Sequence, residues 1–214
     1  MSKAHPSDPS HARTREALIL AAGEVFAEHG FRAATVRDIC KTAGANVAAV
    51  NYHFRDKAGL YRAVWQYSHH CALKKYPLQY GASENAKPQD KLRAYIGSFL
   101  LRIFDKGELA WFGKLISREM IEPTPVLAEL VKEEIQPQLM YLSGIVRSIL
   151  GPKATDIQVQ RSSMSVVSQC VFYHHCGPVI RLLLPHLTFS KHQIEEIAEH
   201  IYRFSLSAMK DTGK

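Results

Sequence analysis

Polar and small side chains between Thr35 and Lys57 have the types and spacing needed to bind a nucleic acid. The stretch from residue 34 to residue 57 is ATVRDICKTAGANVAAVNYHFRDK. Arginine can pair with guanine and asparagine with adenine, whereas valine and alanine can only contact a thymine methyl group. The candidates for such base contacts are Arg37, Asn46, Val47, Ala48 and Asn51. Thr35 precedes an expected helix, where its hydroxyl and the nearby backbone N–H groups can hold a phosphate.

Two short helices joined by a tight turn are expected to position these side chains, at about residues 34–53. A capping sequence starts the first helix. Gly44 ends it, because glycine tolerates the left-handed backbone that a close turn needs. The second helix is expected at about residues 47–53, with Val50 and Phe54 as its inward anchors. This layout is a helix-turn-helix, whose second helix can enter the major groove of DNA.

An ordered set of residues in and around this stretch resembles the TetR family of bacterial transcriptional regulators. The matching residues are Thr35, Ile39, Ala43-Gly44, Tyr52-His53-Phe54, Lys57 and Leu60. The resemblance is sharp over about residues 14–62. It implies that Tyr52, His53 and Lys57 grip phosphates, which sets the register on DNA rather than the sequence choice.

Two side chains of this motif keep alternative interpretations. Many family members have an aromatic residue where this chain has Asn51, so the contact of Asn51 cannot be carried over from the family. Tyr52 is equally compatible with a ring in the core and with a hydroxyl that reaches DNA. Phe54 is expected to be a core residue.

The remaining chain has helical periodicity, which predicts an all-α protein with an N-terminal helix-turn-helix head and a C-terminal helical bundle. We expect a disordered tail at residues 1–12, a DNA-binding domain at 13–73 and an effector-binding and dimerisation domain at 74–214. The first helix is expected from Arg13 to His29. Pro137 should kink or split a long helix, because proline lacks a backbone N–H group. The FYHHCGPVIRLLLP stretch is similar to the CecR-type subgroup of the family.

The resemblance implies a homodimer, a small organic effector and double-stranded operator DNA as partners. The dimer interface is expected on the helices at about 156–176 and 192–209; the alternative is that these are ordinary core helices. Aromatic, flexible and polar residues of the expected bundle suit an effector pocket, although each is also a plausible core residue. They are Phe99, Trp111, Phe112, Arg118, Met120, Tyr141, Gln169 and Tyr173. A repressor is favoured over an activator of the same family.

Composition narrows the class of protein without locating the site. The chain has 214 residues, 46% of them hydrophobic, and a formal net charge of +7. This charge favours a polyanionic partner, but residues 1–60 carry eight basic and six acidic residues and so hold only +2 of it. The polar start and the absence of an apolar run near 20 residues predict a cytoplasmic protein without a membrane span.

The His and Cys residues do not predict a metal site or a cofactor. The runs His69-His70-Cys71 and His174-His175-Cys176 place adjacent side chains about 100° apart on a helix, a poor arrangement for zinc. The four cysteines have no CxxC spacing, and we expect them reduced. There is no recognisable catalytic motif and hence no catalytic residue. An enzyme with an unrecognised site and a helical adaptor that has lost DNA binding are the alternatives from other classes.

Overall fold

The backbone of residues 9–107 and 110–212 is described by a computed structural model. Within these ranges the regular structure is helical, with no strand. The helices are α1 Pro9–Ala33, α2 Val36–Ala43, α3 Val47–Phe54, α4 Lys57–Lys75, α5 Pro88–Ile103, α6 Trp111–Ile121, α7 Leu127–Leu130, a π-helical turn Val131–Ile135, α8 Gln136–Leu150, α9 Asp156–His175, α10 Gly177–Leu183 and α11 Lys191–Thr212. The all-α prediction, with a helix-turn-helix head and a helical bundle, is confirmed.

Helix α1 begins at Pro9 rather than at Arg13. Proline suits the first helical position because its missing N–H group needs no partner there. Residues 9–12 of the expected disordered tail are therefore helical, and residues 1–8 lie outside the described residues. Gly30 interrupts the helix with φ 78°, as expected for a glycine that ends a helix.

The chain divides into two compact units. Of the described residues, the first contains 9–70 and 114–130, and the second contains 71–107, 110–113 and 131–212. The boundary expected at 73/74 lies close to the break after His70. The segment 114–130, which the prediction placed after this boundary, packs with the first unit. Its side chains explain why, since Glu119 accepts a hydrogen bond from the hydroxyl of Tyr61 at 2.7 Å.

The core of the first unit lies where α1 packs against α2 and α3. Leu18, Phe26, Ile39 and Val50 are fully buried, and Phe54 is nearly so. Val50 and Phe54 are thus the inward anchors that the sequence predicted. With one face of α3 held in the core, its opposite face is left exposed.

The second unit is a bundle in which α5 packs against α8 and α11, and α9 packs against α8 and α11. Fully buried Leu92, Ile96 and Leu100 form the α5 side of its core. Pro137 lies in the first turn of α8, directly after the π-helical turn. Its ring and missing N–H group prevent a regular α-helix through this point, and the chain forms the π-helical turn there, while the helical run continues from residue 127 to residue 150.

Candidate nucleic-acid interface

Side-chain caps fix the start of both helices of the helix-turn-helix. The Thr35 hydroxyl accepts a hydrogen bond from the Asp38 N–H group at 3.1 Å and donates to the Asp38 carboxylate at 2.6 Å. Asn46 caps α3 in the same way, because its Oδ1 accepts from the N–H group of Ala48 at 3.0 Å. Gly44 supplies the turn with φ 63°. Thr35 and Asn46 therefore hold the helix starts, whatever else they contact.

The outward face of α3 carries the predicted base-contacting residues. Tyr52 is 73% exposed and Val47 44% exposed, and Ala48 and Asn51 are exposed beside them. Arg37 is exposed on α2. The two interpretations of Tyr52 are resolved in favour of the surface, because the buried positions of α3 are taken by Val50 and Phe54.

An aromatic cluster lines one edge of this face. The His11, Tyr52 and His53 rings lie close together, with centroids 5.7 Å apart for His11 and Tyr52 and 4.8 Å apart for Tyr52 and His53. Burial lowers the pKa of His53, and the nearby His11 and Arg15 lower it further. Sequence reasoning did not single out His11, because it lies in the stretch expected to be disordered.

Lys57 does not offer a free ammonium group for a phosphate. Its Nζ donates to the carbonyl oxygens of Phe31 at 2.8 Å, Ala34 at 3.1 Å and Arg32 at 3.4 Å. It also lies 4.6 Å from the centroid of the Phe31 ring. A lysine ammonium group has three N–H donors, and the three carbonyl groups account for them. The phosphate role implied for Lys57 is therefore not supported by its geometry.

The junction of α3 and α4 fixes the end of the exposed helix. Arg55 has φ 72°, a conformation that non-glycine residues rarely adopt. Asp56 then caps α4, its Oδ1 accepting from the Gly59 N–H group at 2.7 Å. A Cβ atom on Gly59 would lie 2.0 Å from the carbonyl oxygen of Phe54. Only glycine allows so close an approach.

Most of the predicted effector residues lie in the second unit but do not form one group. The ring of Tyr95 lies 6.2 Å from that of Phe99 and 6.3 Å from that of Tyr141. Gln169 instead lines a groove between α9 and α11, where its Nε2 donates to the Ser205 hydroxyl at 3.1 Å. The other predicted members in this unit are Trp111 and Phe112, which are buried, and Tyr173, which is half-buried.

Arg118 and Met120 do not belong with that set. Both lie in the first unit. The Nε of Arg118 donates to the carbonyl oxygen of Ala27 at 2.9 Å, and Nη2 donates to that of Glu28. The guanidinium therefore binds the end of α1. Met120 is 57% exposed, and its pocket role stays a prediction, as does that of Arg118.

The helices expected to carry the dimer interface leave large apolar side chains uncovered. Ile157, Met164 and Phe172 of α9 are more than half exposed, as is Phe204 of α11. The groove between α9 and α11 is also lined by the small residues Ser162, Ser165 and Ala208.

The described part of the chain has no candidate metal site and no helix that could span a membrane. No three His, Cys, Asp or Glu side chains of residues 9–107 and 110–212 are grouped as metal ligands. The helices in the same part of the chain are too short or too polar to cross a bilayer. Cys40 and Cys170 are buried as free thiols, and Cys71 and Cys176 are half-buried free thiols.

A capped helix-turn-helix with an exposed second helix, followed by a separate helical bundle, defines a two-domain DNA-binding transcriptional regulator. The family model for bacterial regulatory proteins of the tetR family matches residues 18–64. The model for the C-terminal domain of the HTH-type transcriptional dual regulator CecR matches residues 88–209, more than half of the chain. The chain belongs to the TetR family and has a CecR-type C-terminal domain. Proteins of this family are regulators and not enzymes.

Individual relatives agree with this assignment. The chain is 25% identical over 198 residues to the dual regulator CecR of Shigella flexneri, an alignment that covers 88% of each protein. Its fold is similar to that of FadR from Bacillus subtilis in complex with stearoyl-CoA, with a TM-score of 0.68 and 17% identity over 90% of this chain and 97% of that one. It is also similar to AibR in complex with isovaleryl coenzyme A and operator DNA, with a TM-score of 0.66 and 14% identity over 89% and 97% of the two chains.

Proposed function

We propose that this regulator binds a palindromic operator as a cytoplasmic homodimer and represses transcription until a small organic effector lowers its affinity for DNA. The exposed face of α3 carries the proposal. Asn51 and Tyr52 point away from a helix whose other side is anchored by Val50 and Phe54. A rigid helix with exposed hydrogen-bonding groups can enter the major groove and contact base edges.

The proposed contacts divide into two groups by chemistry. Arg37, Val47, Ala48 and Asn51 are exposed and have side chains that can contact bases. Tyr52 and His53 can bind phosphate oxygens through their hydroxyl and imidazole N–H groups. Thr35 and Asn46 contribute by holding the starts of α2 and α3 in place, since their side chains accept from the N–H groups of Asp38 and Ala48. Lys57 is left out, because its ammonium group is bound to backbone carbonyls.

A dimer is proposed because one helix-turn-helix contacts too little DNA for specific binding. The uncovered Met164 of α9 and Phe204 of α11 offer the apolar side chains for this interface. Sedimentation that gives a monomer at micromolar concentration would exclude it.

The proposed effector response requires a second state of the dimer. In the DNA-bound state the two heads lie about 34–36 Å apart, one turn of DNA. Effector binding to the bundle favours a state with a different spacing, and a coupling of about 1–3 kcal/mol is enough. FadR and AibR were solved with acyl-coenzyme A ligands, which supports a ligand-responsive bundle in this fold.

Selection of random duplex DNA on the purified protein tests the proposal. We expect enrichment of an inverted repeat whose half-sites are separated by about one turn of DNA. Enrichment of a single half-site would contradict the dimeric mode of binding. No enrichment at low or moderate salt, with protein that denaturing extraction shows to be free of bound ligand, would contradict DNA binding itself and favour the adaptor hypothesis.

A further inference from the structure

A buried cation without a carboxylate partner lies inside the second unit. Arg102, near the end of α5, is only 4% exposed. Its Nη1 donates to Oε1 of Gln138 at 2.6 Å, and its Nε donates to the Ser98 carbonyl oxygen at 3.3 Å. Both partners are neutral. A buried charge is costly unless it is paired, and among residues 9–107 and 110–212 this arginine has no carboxylate partner.

The carboxylates that form ion pairs in this unit are bound to other cations. In the described part of the unit the pairs are Asp105 with Lys75, Glu199 with Arg93 and Arg203, Asp156 with Arg147, and Glu196 with His192. Burial lowers the pKa of the Arg102 guanidinium to about 10. The group therefore remains a cation at neutral pH.

A second buried polar group close by also lacks a partner. The hydroxyl of Tyr141 is buried and makes no hydrogen bond. Tyr141 follows Gln138 by one turn of α8, so the two side chains share a helix face. The Tyr141 ring lies 6.3 Å from that of Tyr95, which shares one face of α5 with Arg102. An unused donor thus lies near the unpaired cation.

Aromatic side chains surround these two groups. The Arg102 guanidinium carbon lies 5.7 Å from the centroid of the Phe99 ring, and the Phe99 and Tyr95 rings are 6.2 Å apart. Tyr95 is 2% exposed, whereas Phe99 and Tyr141 are half-buried. The side chains of Phe99 and Tyr141 therefore lie between the buried arginine and the surface.

We infer that Arg102 and Tyr141 form an internal anion site that binds the carboxylate of an apolar organic acid. The guanidinium would hold the two carboxylate oxygens, which is the bidentate geometry that arginine favours. The Tyr141 hydroxyl would donate to the same group, and the Phe99 and Tyr95 rings would contact the apolar part of the acid. This inference rests on the proposed function only in taking the acid as the effector. Of the eight residues that the sequence suggested for a pocket, the site uses Phe99 and Tyr141.

Binding of straight-chain carboxylates from butyrate to laurate, measured by calorimetry on the full chain without DNA, tests the site. The primary alcohol of each length is the neutral control. We expect at least one acid to bind more tightly than its alcohol. Arg102→Met should weaken this binding about 10- to 100-fold, the loss expected for hydrogen bonds to a charged group. Arg147→Met, which removes an exposed arginine of the same bundle, should leave it unchanged.

Tyr141→Phe separates ligand binding from folding. It removes a hydroxyl that has no partner, so the melting temperature of the ligand-free protein should not fall, yet acid binding should weaken about 3- to 10-fold. The inference is overturned if no acid binds in preference to its alcohol, or if both variants bind the acid as the wild type does. Equal binding of inorganic phosphate would contradict the organic part of the assignment.

Titration of the acid into the complex with the selected duplex distinguishes this inference from the proposed function. Acid binding that leaves the affinity for DNA unchanged would support the site and contradict the effector response. Specific DNA binding by a protein that binds none of the acids would overturn the site alone.

Discussion

The ammonium nitrogen of Lys57 lies 2.8 Å from the carbonyl oxygen of Phe31. Together with the bond to the Ala34 carbonyl at 3.1 Å, it ties the first residue of α4 to the last turn of α1 and to the residue that follows α1. The carbonyl groups at a helix end have no intrahelical partner and carry partial negative charge. Lys57 therefore stabilises the junction of α1, α2 and α4 in the helix-turn-helix head.

Replacing this lysine should lower the free energy of unfolding, with little change in the salt dependence of DNA binding. We expect Lys57→Met to reduce the free energy of unfolding by about 1–3 kcal/mol, because hydrogen bonds from a charged donor are lost. Urea denaturation measures this change, and Lys41→Met, at an exposed lysine of α2, is the control. A stable variant whose salt slope falls by about one would indicate a phosphate contact instead.

A buried hydrogen bond ties the segment 114–130 to α4. The Tyr61 hydroxyl donates to Glu119 Oε1 at 2.7 Å, and the Thr124 N–H group donates to Oε2 at 3.1 Å. Burial raises the pKa of Tyr61, and the hydrogen bond with Glu119 adds to the increase. Glu119→Gln removes the charged acceptor of both bonds, and with the amide oxygen turned to the Thr124 N–H group the Tyr61 hydroxyl proton loses its carboxylate acceptor. It should cost about 1–3 kcal/mol of unfolding free energy.

A double-mutant cycle with Tyr61→Phe checks whether this cost arises from the pair. Residues in direct contact show non-additive effects of about 0.5–3 kcal/mol. Thermal or urea unfolding of the two single variants and the double variant gives the coupling. Additive losses would mean that Tyr61 and Glu119 act independently.

Gly59 should not tolerate a side chain. An alanine Cβ would meet the Phe54 carbonyl oxygen at 2.0 Å, and backbone cannot move aside as a flexible side chain can. We expect Gly59→Ala to cost about 3 kcal/mol or more, measured by thermal unfolding. Gly97→Ala is the matched control, because it lies in α5 with open space around its Cβ. It should raise stability by about 0.5–1 kcal/mol.

Acid should destabilise the second unit through His174. Burial lowers the pKa of this imidazole from its ordinary 6.5, and the neighbouring His175 lowers it further. Because its pKa is lower in the folded state, His174 binds a proton more readily in the unfolded state. The stability that neutral His174 contributes is therefore fully present above pH 6.5. It is lost as the pH falls through the lower pKa of the folded state. Urea denaturation between pH 7.5 and 5 should show a smaller loss for His174→Gln than for the wild type. An equal loss of unfolding free energy in the two proteins would show that His174 is not the group responsible.

The helix-turn-helix could be predicted from sequence because its signals are local. Capping residues, a turn glycine and two anchors within one stretch determine α2 and α3. The same holds for the irregular helical turn before Pro137. Local signals also gave the exposed face of α3, since Val50 and Phe54 can be buried only if Asn51 and Tyr52 are not.

The roles of Lys57 and Arg118 could not be predicted because they depend on contacts distant in sequence. Lys57 binds carbonyl groups more than 20 residues earlier, and Arg118 binds those of Ala27 and Glu28 about 90 residues away. The sequence does not show which helix-end carbonyl groups a distant basic side chain will reach. The importance of Arg102 was missed for the same reason, since only the fold shows that it is buried without a carboxylate.

The affinity of an Asn51→Ala/Tyr52→Ala variant for the selected duplex tests the central claim most directly. Both side chains are exposed, so the melting temperature should match that of the wild type. Fluorescence anisotropy should then show at least about tenfold weaker binding, since a single good base contact is worth about 1–3 kcal/mol. Tyr80→Ala, at another exposed tyrosine, should bind as the wild type does. Wild-type affinity in the double variant would contradict the claim that the exposed face of α3 binds DNA.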